Sequence, residues 1–251
     1  MLKVSNLTKT YSNNIVAIKE LSFCLNKNKI LGLVGPNGSG KTTTINSILN
    51  IIKFDHGDIS LKGYTNNSLE FKKLVSYIPD ELILPESLTG KEYINFMMSI
   101  YSVKKQTKLD NLIRLYNMQD LLNLLIKEYS HGMKKKLQII VAFALESKLL
   151  IVDEPFRGLD VESIIITKQL IKKYVEKGSI LLCSHDLALI EELSDEVIML
   201  YKGNVIAKGT SYDLKTKFES SNLEEVFMKI SIGEERKNEI GEIISNFNNY
   251  D

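Results

Sequence analysis

The sequence predicts an α/β protein: a mostly parallel sheet with helices on both faces, an antiparallel β region ahead of it and a helical subdomain inserted within it. Three observations carry this prediction. Short apolar runs, Ile30-Leu31-Gly32-Leu33-Val34, Leu149-Leu150-Ile151-Val152 and Ile180-Leu181-Leu182-Cys183, read as strands buried on both faces. Stretches with apolar residues three and four apart, such as Tyr93, Phe96, Met97 and Ile100, read as helices between them. The glycine-rich turn Gly35-Pro36-Asn37-Gly38-Ser39-Gly40-Lys41-Thr42 joins the first buried strand to a helix.

In chain order, Leu2, Val4 and Leu7 lead through Thr10-Tyr11 into Ile15 to Leu25, and both stretches read as strands. After the glycine-rich turn, Ile45, Ile48 and Leu49 recur at helical spacing. Gly57 to Gly63 and Val75-Ser76-Tyr77-Ile78 are strand-like, and Pro79-Asp80-Glu81 breaks the pattern. From about Thr89 to Leu145 the chain reads as helix, and residues 81–147 are expected to form the inserted subdomain. Ser130 is placed to cap a helix that begins at His131, and Lys134-Lys135-Lys136 is expected to be a solvated face. A helix is expected around Ile164 to Val175, and Lys202-Gly203 reads as a hairpin turn between Val197-Leu200 and Asn204-Ala207. The catalytic domain is expected to span residues 1–230, followed by a polar tail, 231–251, with weak apolar spacing at Ile240, Ile243 and Ile244.

Composition narrows the function. Of 251 residues, 44% are hydrophobic and 25% charged, enough to bury a full core. Lys and Arg number 32 against 31 Asp and Glu, so the net charge of +1 offers no electrostatic case for nucleic acid. The start lacks the apolar stretch of a signal peptide, and no run reaches the ~18 apolar residues of a membrane span. Any membrane role is therefore expected to come through a partner chain. Cys24 and Cys183 lie far apart in apolar runs and are expected to be buried free thiols in a reducing cytosol.

The chemistry centres on Gly35 to Thr42, which fits G-x-x-x-x-G-K-[ST], the phosphate-binding loop of a P-loop NTPase core. Glycines let the backbone approach closely, N–H groups converge on phosphate oxygens, and the helix N-terminus favours the anion. Lys41 would reach the β- and γ-phosphates and Thr42 would offer its hydroxyl to Mg²⁺, with Thr43 beside it. Asp153 and Glu154 close a buried strand at the end where α/β folds bind ligands. The first suits Mg²⁺ and its waters, the second a general base. His185 ends another core strand at the same face, and Tyr11 is a platform for an adenine ring.

Together these features resemble the ATP-binding subunit of bacterial ABC transporters, over roughly Met1 to Ile230. Gly35 to Thr42 resembles the Walker A loop, and Leu149 to Glu154 resembles Walker B with its catalytic glutamate. Ser130-His131-Gly132-Met133 stands at the signature position, Gly158-Leu159-Asp160 at the D-loop, His185 at the switch histidine and Tyr11 at the adenine-stacking aromatic. The resemblance implies a head-to-tail dimer, with self or with a sister subunit, that sandwiches two ATPs. Ser130 and Gly132 would then contact the γ-phosphate of ATP held by the partner, Asp160 would couple the two sites, and His185 would hold the γ-phosphate and the attacking water in line with Glu154.

The sequence departs from that family's pattern at two positions. His131 replaces the first glycine of the signature, where helical φ suits any L-residue. When charged it is expected to touch phosphate too and make turnover pH-sensitive. Asp80 stands where the family has a glutamine beside Mg²⁺; it is a shorter but good hard-metal ligand.

The resemblance further implies an integral membrane permease on a separate chain, docked near residues 80–101, where Leu82, Ile83, Leu84, Tyr93 and Phe96 supply apolar surface. Leu223-Glu224-Glu225-Val226-Phe227 resembles the ending of exporter-type ATPases for drugs, peptides or lipids, so export is favoured over import. The expected place is the cytoplasmic face of the cell membrane. Two alternatives stay open: a soluble ABC-type ATPase without a permease, and a mainly ATP-binding partner in a heterodimer. A GTPase would need an Asn-Lys-x-Asp base-reading motif, which is not in the sequence.

Overall fold

The computed structural model describes residues 1–103, 106–231 and 243–245. Its first layer is a sheet of β1 (Leu2–Tyr11), β2 (Ile15–Leu25), β4 (His56–Leu61) and β5 (Tyr64–Thr65), ordered β2-β1-β4-β5 and antiparallel throughout. Side chains alternate along it: in β2, Ile18, Leu21, Phe23 and Leu25 are buried while their neighbours are not. That alternation turns Cys24 outward, so the expectation of two buried thiols holds for Cys183 alone.

The second layer holds β3 (Ile30–Val34), β6 (Val75–Ile78), β7 (Leu149–Asp153), β8 (Ser179–Ser184), β9 (Glu196–Tyr201) and β10 (Asn204–Gly209), ordered β10-β9-β3-β8-β7-β6. All pairs are parallel except the β9–β10 hairpin. Its strands are apolar on both faces because both faces are covered. Leu31, Leu33, Leu149, Ile151, Leu181 and Cys183 share one core with the antiparallel sheet and with Ile45 and Ile48 of helix α1 (Lys41–Ile48). Val34, Leu150, Val152, Ile180 and Leu182 face a second core built with helices.

Helix α2 (Leu69–Lys73) precedes β6, and α3 (Gly90–Ile100), α4 (Gln106–Leu115) and α5 (His131–Ala144) lie between β6 and β7. Thr89 starts α3 with a reciprocal cap: its hydroxyl accepts from the N–H of Glu92, whose carboxylate accepts from the N–H of Thr89. Residues of α3 and α4, such as Ile94 and Leu112, join the same buried cluster as Leu150 and Leu182, bridged by the apolar face of α5 from Leu137 to Leu145. Of the apolar residues expected to face a permease, Leu84 is buried in this core and Tyr93 packs on it; Ile83 and Phe96 are 81% and 54% exposed.

The chain continues through α6 (Val161–Tyr174), α7 (Leu187–Leu193), α8 (Ser211–Lys217) and α9 (Leu223–Ser231). Of the expected polar tail, only Ser231 and residues 243–245 fall within the described residues, and Ile240 does not; Ile243 and Ile244 are exposed. Among the described residues no helix is long and apolar enough to cross a membrane.

Candidate functional site

The topology brings the polar ends of β3, β7 and β8 side by side, since β8 lies between the other two. Beyond β3 the chain turns through Gly35 to Gly40 into α1. Gly40 caps that helix at φ 110°, in the left-handed region, and a Cβ there would lie 2.5 Å from the carbonyl oxygen of Ala17. Ser39 ties the loop to the β9–β10 turn through its carbonyl, which accepts from the N–H of Gly203 at 3.1 Å. The Lys41 ammonium is buried and donates to the carbonyls of Gly35 (2.6 Å) and Pro36 (3.2 Å). Tyr11, Val16, Ala17, Asn37, Gly38, Gly40, Lys41, Thr42, Thr43 and Lys202 line an open pocket of about 450 Å³ at the first turn of α1. The Tyr11 hydroxyl stands 3.5 Å from that of Thr43, and the Lys9 ammonium lies 5.5 Å from the centre of its ring. A polar loop with a buried cation and a flat aromatic wall suits a base joined to phosphates.

Asp153 ends β7 and is buried at 4% exposure. Burial pushes its carboxyl up to about 6, the charges of Glu154 and Asp80 add to this, and Lys41 and Lys135 oppose it. Glu154 follows at φ 44°, with its N–H bonded to the carbonyl of Cys183 on β8. This turn directs its carboxylate at the end of β8. There Oε1 accepts from the His185 N–H (2.8 Å) and meets His185 Nδ1 (2.7 Å), while Oε2 accepts from the Ser184 hydroxyl (2.8 Å).

Asp80 offers a metal one of its two oxygens. Its Oδ2 pairs with Arg157 at 2.9 Å, whereas Oδ1 is buried and has no hydrogen-bond partner among the described residues. The expected solvated face at residues 134–136 is overturned. Lys134 pairs with Glu86, Lys136 pairs with Asp160, and Lys135, fully buried, donates to the carbonyl of Pro79 at 2.7 Å. Burial draws the Lys135 ammonium down to about 8, against the charges of Asp80, Asp153 and Glu154. The reason is local: α5 buries the face that carries Lys135 and Gln138 against the loop after β6, where the Pro79 carbonyl receives the ammonium and the Glu81 carbonyl receives the Gln138 amide.

At the start of α5, the Ser130 hydroxyl accepts from the Met133 N–H at 3.3 Å. His131 and Gly132 pack on Gly158, which sits at φ 77°; a Cβ on Gly158 would lie 2.2 Å from His131 Nδ1. Asp160 caps α6 by accepting from the Ser163 N–H at 2.8 Å, and the Lys136 hydrogen bond holds its carboxyl well below the usual range. Of the predicted residues, Asp153, Glu154 and His185 gather at the strand ends near Lys41 of α1, and Ser130, Gly132 and Asp160 gather where α5 meets the loop before α6. Arg157, Ser184, Lys135 and Lys136 were not predicted. Ser184 beside His185 at a strand end was the one legible signal among them; the other three are legible only as tertiary partners.

A phosphate-binding turn between the central strand and a helix, with two acids at the end of a nearby parallel strand, defines a P-loop nucleotide-binding domain. The ABC transporter family profile matches residues 18–157. The ABC-type transporter ATP-binding protein EcsA of Bacillus subtilis is 34% identical over 239 residues, covering 92% of this chain and 96% of that protein. The SkfA peptide export ATP-binding protein SkfE of the same species is 31% identical over 210 residues, covering 82% and 87%. A solved ATP-binding subunit of an ABC transporter superposes with a TM-score of 0.86 at 30% identity, covering 92% of this chain and 99% of that one. The chain belongs to the ABC transporter ATP-binding family, and its nucleotide is ATP.

Proposed function

We propose that this chain hydrolyses ATP to power a separate membrane permease, that it does so as a head-to-tail dimer on the cytoplasmic face of the membrane, and that transport is outward. The observation that carries the catalytic part is the Glu154 carboxylate, fixed at the strand ends by His185 and Ser184 next to buried Lys41 and Asp153. Glu154 takes a proton from the attacking water, Lys41 binds the transferred phosphoryl group, and His185 orients both.

The donor set suits Mg²⁺: hard oxygens from the exposed Thr42 hydroxyl, buried Asp153 and the unpartnered Asp80 Oδ1. When bound, that ion neutralises charge on the phosphates. Ser130 and Gly132, at the start of α5, contact ATP held by the partner, and His131 adds charge there when protonated. Export is supported by the peptide-export relative and by helix α9, which carries the exporter-like ending. Residues 1–230 form the ATPase domain, with 81–147 as its helical subdomain.

The test is ATP-dependent dimerisation of Glu154→Gln against wild type, by sedimentation. A dimer trapped with Mg-ATP only in the variant is expected. A variant that binds ATP and stays monomeric would instead point to a sister chain as partner. A variant that still turns ATP over at the wild-type rate would remove Glu154 as the base.

A further inference from the structure

The Glu154 carboxylate has about four lone-pair directions to share among donors. Oε1 accepts from the His185 N–H at 2.8 Å and lies 2.7 Å from the ring Nδ1, which donates to it in the tautomer that carries a proton there. Among the described residues Oε2 has one donor, the Ser184 hydroxyl at 2.8 Å, which leaves a lone-pair direction for another. The hydroxyl itself is not free to turn. Ser184 is 1% exposed, its backbone pairs with Val34 of β3, and its Oγ also accepts from the Asp186 N–H at 3.1 Å. With one side of Oγ filled by that N–H, its own proton points at Glu154. A serine locked at the end of the strand between β3 and β7 therefore sets where Oε2 lies.

We propose that Ser184 is a positioning residue for hydrolysis, holding Oε2 of Glu154 as the atom that receives the proton of the attacking water. This rests on Glu154 being the base. The water oxygen bonds to the γ-phosphorus, the bridging P–O bond breaks with its electron pair leaving on ADP, and the water proton passes to Oε2. Ser184 keeps its own proton throughout and touches neither water nor phosphate. Its hydroxyl holds the acceptor in line, and misplacement of a reacting group by an ångström is enough to slow a step severely.

The full-length chain is assayed as wild type, Ser184→Ala, Ser184→Thr, Ser184→Cys, Glu154→Gln and the Glu154→Gln/Ser184→Ala double variant. Ser184→Ala is expected to lower kcat about tenfold to a hundredfold, with KM for Mg-ATP and Kd for ADP moved less than about twofold. Ser184→Thr, which keeps the hydroxyl, is expected to restore kcat to within about threefold. In the Glu154→Gln background, Ser184→Ala is expected to cost nothing further, because the two side chains act as one unit. An Ala variant with wild-type kcat, a loss that Thr does not restore, or a further loss on top of Glu154→Gln would each overturn the role. If the Ala variant loses ADP binding, Ser184→Cys decides: it keeps the volume but weakens the donor, and wild-type turnover from it overturns the role. Turnover by Glu154→Gln at the wild-type rate overturns the base assignment itself, whereas an inactive Glu154→Gln beside a normal Ser184→Ala removes Ser184 alone.

Discussion

Asp153 carries a cost that the nucleotide-free protein bears at neutral pH. Its carboxyl is raised from 3.8 to about 6, by burial first and by Glu154 and Asp80 next. Between those values the folded state binds more protons than the unfolded state, so stability falls as pH rises through the window and stays low above it. A shift of about two units corresponds to ~3 kcal/mol at most. Asp153→Asn, which removes the charge and keeps the shape, is therefore expected to stabilise the protein at pH 7.5 by ~1–3 kcal/mol in EDTA without nucleotide. It should also flatten the pH dependence of stability between about 4 and 6. Urea titrations at several pH values check both, and ATP turnover should be lost in the same variant. The location of Asp153 was legible, because an acid after four apolar residues marks a strand end. Its perturbation was not, because burial and the nearness of Asp80 are properties of the folded chain.

At the scale of the elements, one residue with two partners ties the start of α6 to α5. Asp160 caps α6 through the Ser163 N–H and pairs with Lys136 of α5 at 2.8 Å. Loss of an N-cap costs ~1 kcal/mol, and a half-exposed ion pair adds less than that. Asp160→Ala is thus expected to destabilise by ~1–2 kcal/mol, and Asp160→Asn, which keeps a capping oxygen, by ~0.5 kcal/mol. Denaturant midpoints separate the two. If Asp160→Asn is stable yet slow in hydrolysis, its work lies across the dimer rather than within the chain. The Ser130 cap and the buried strands β3, β7 and β8 could be read from the sequence, because each depends on residues adjacent in the chain. The seven-residue helices α7 and α8 offer too few turns for helical spacing to show. Lys135 looked solvated because a run of three lysines reads as a charged face; only the fold supplies the Pro79 carbonyl for Lys135 and the acids Glu86 and Asp160 for its neighbours.

Across the whole molecule, the site was more legible than the surface around it. Asp153, Glu154 and His185 end or directly follow strands, and a parallel sheet must gather strand ends on one edge. No such rule says which apolar residues between Asp80 and Tyr101 face outward. Leu84 fills the core, while Ile83, Phe96 and Ile100 are 81%, 54% and 53% exposed. An exposed large apolar side chain alone needs no explanation, yet Phe96 and Ile100 lie four apart on α3, on one face of that helix, and Ile83 precedes it in the chain by a short loop. That loop follows β6 from Pro79, and its Asp80 pairs with Arg157 of the segment after β7, so one contact links this surface to the segment that follows Glu154. Substituting exposed residues changes stability by less than about 0.5 kcal/mol, so Ile83→Asp/Phe96→Asp should fold and bind ATP as wild type does. A charge buried in an apolar contact is costly, so the same variant should lose its permease. Co-purification from membranes and ATP affinity of the isolated chain, measured on one preparation, test this together. Loss of the permease with unchanged affinity is expected, and retention of the permease would place its seat elsewhere on the chain.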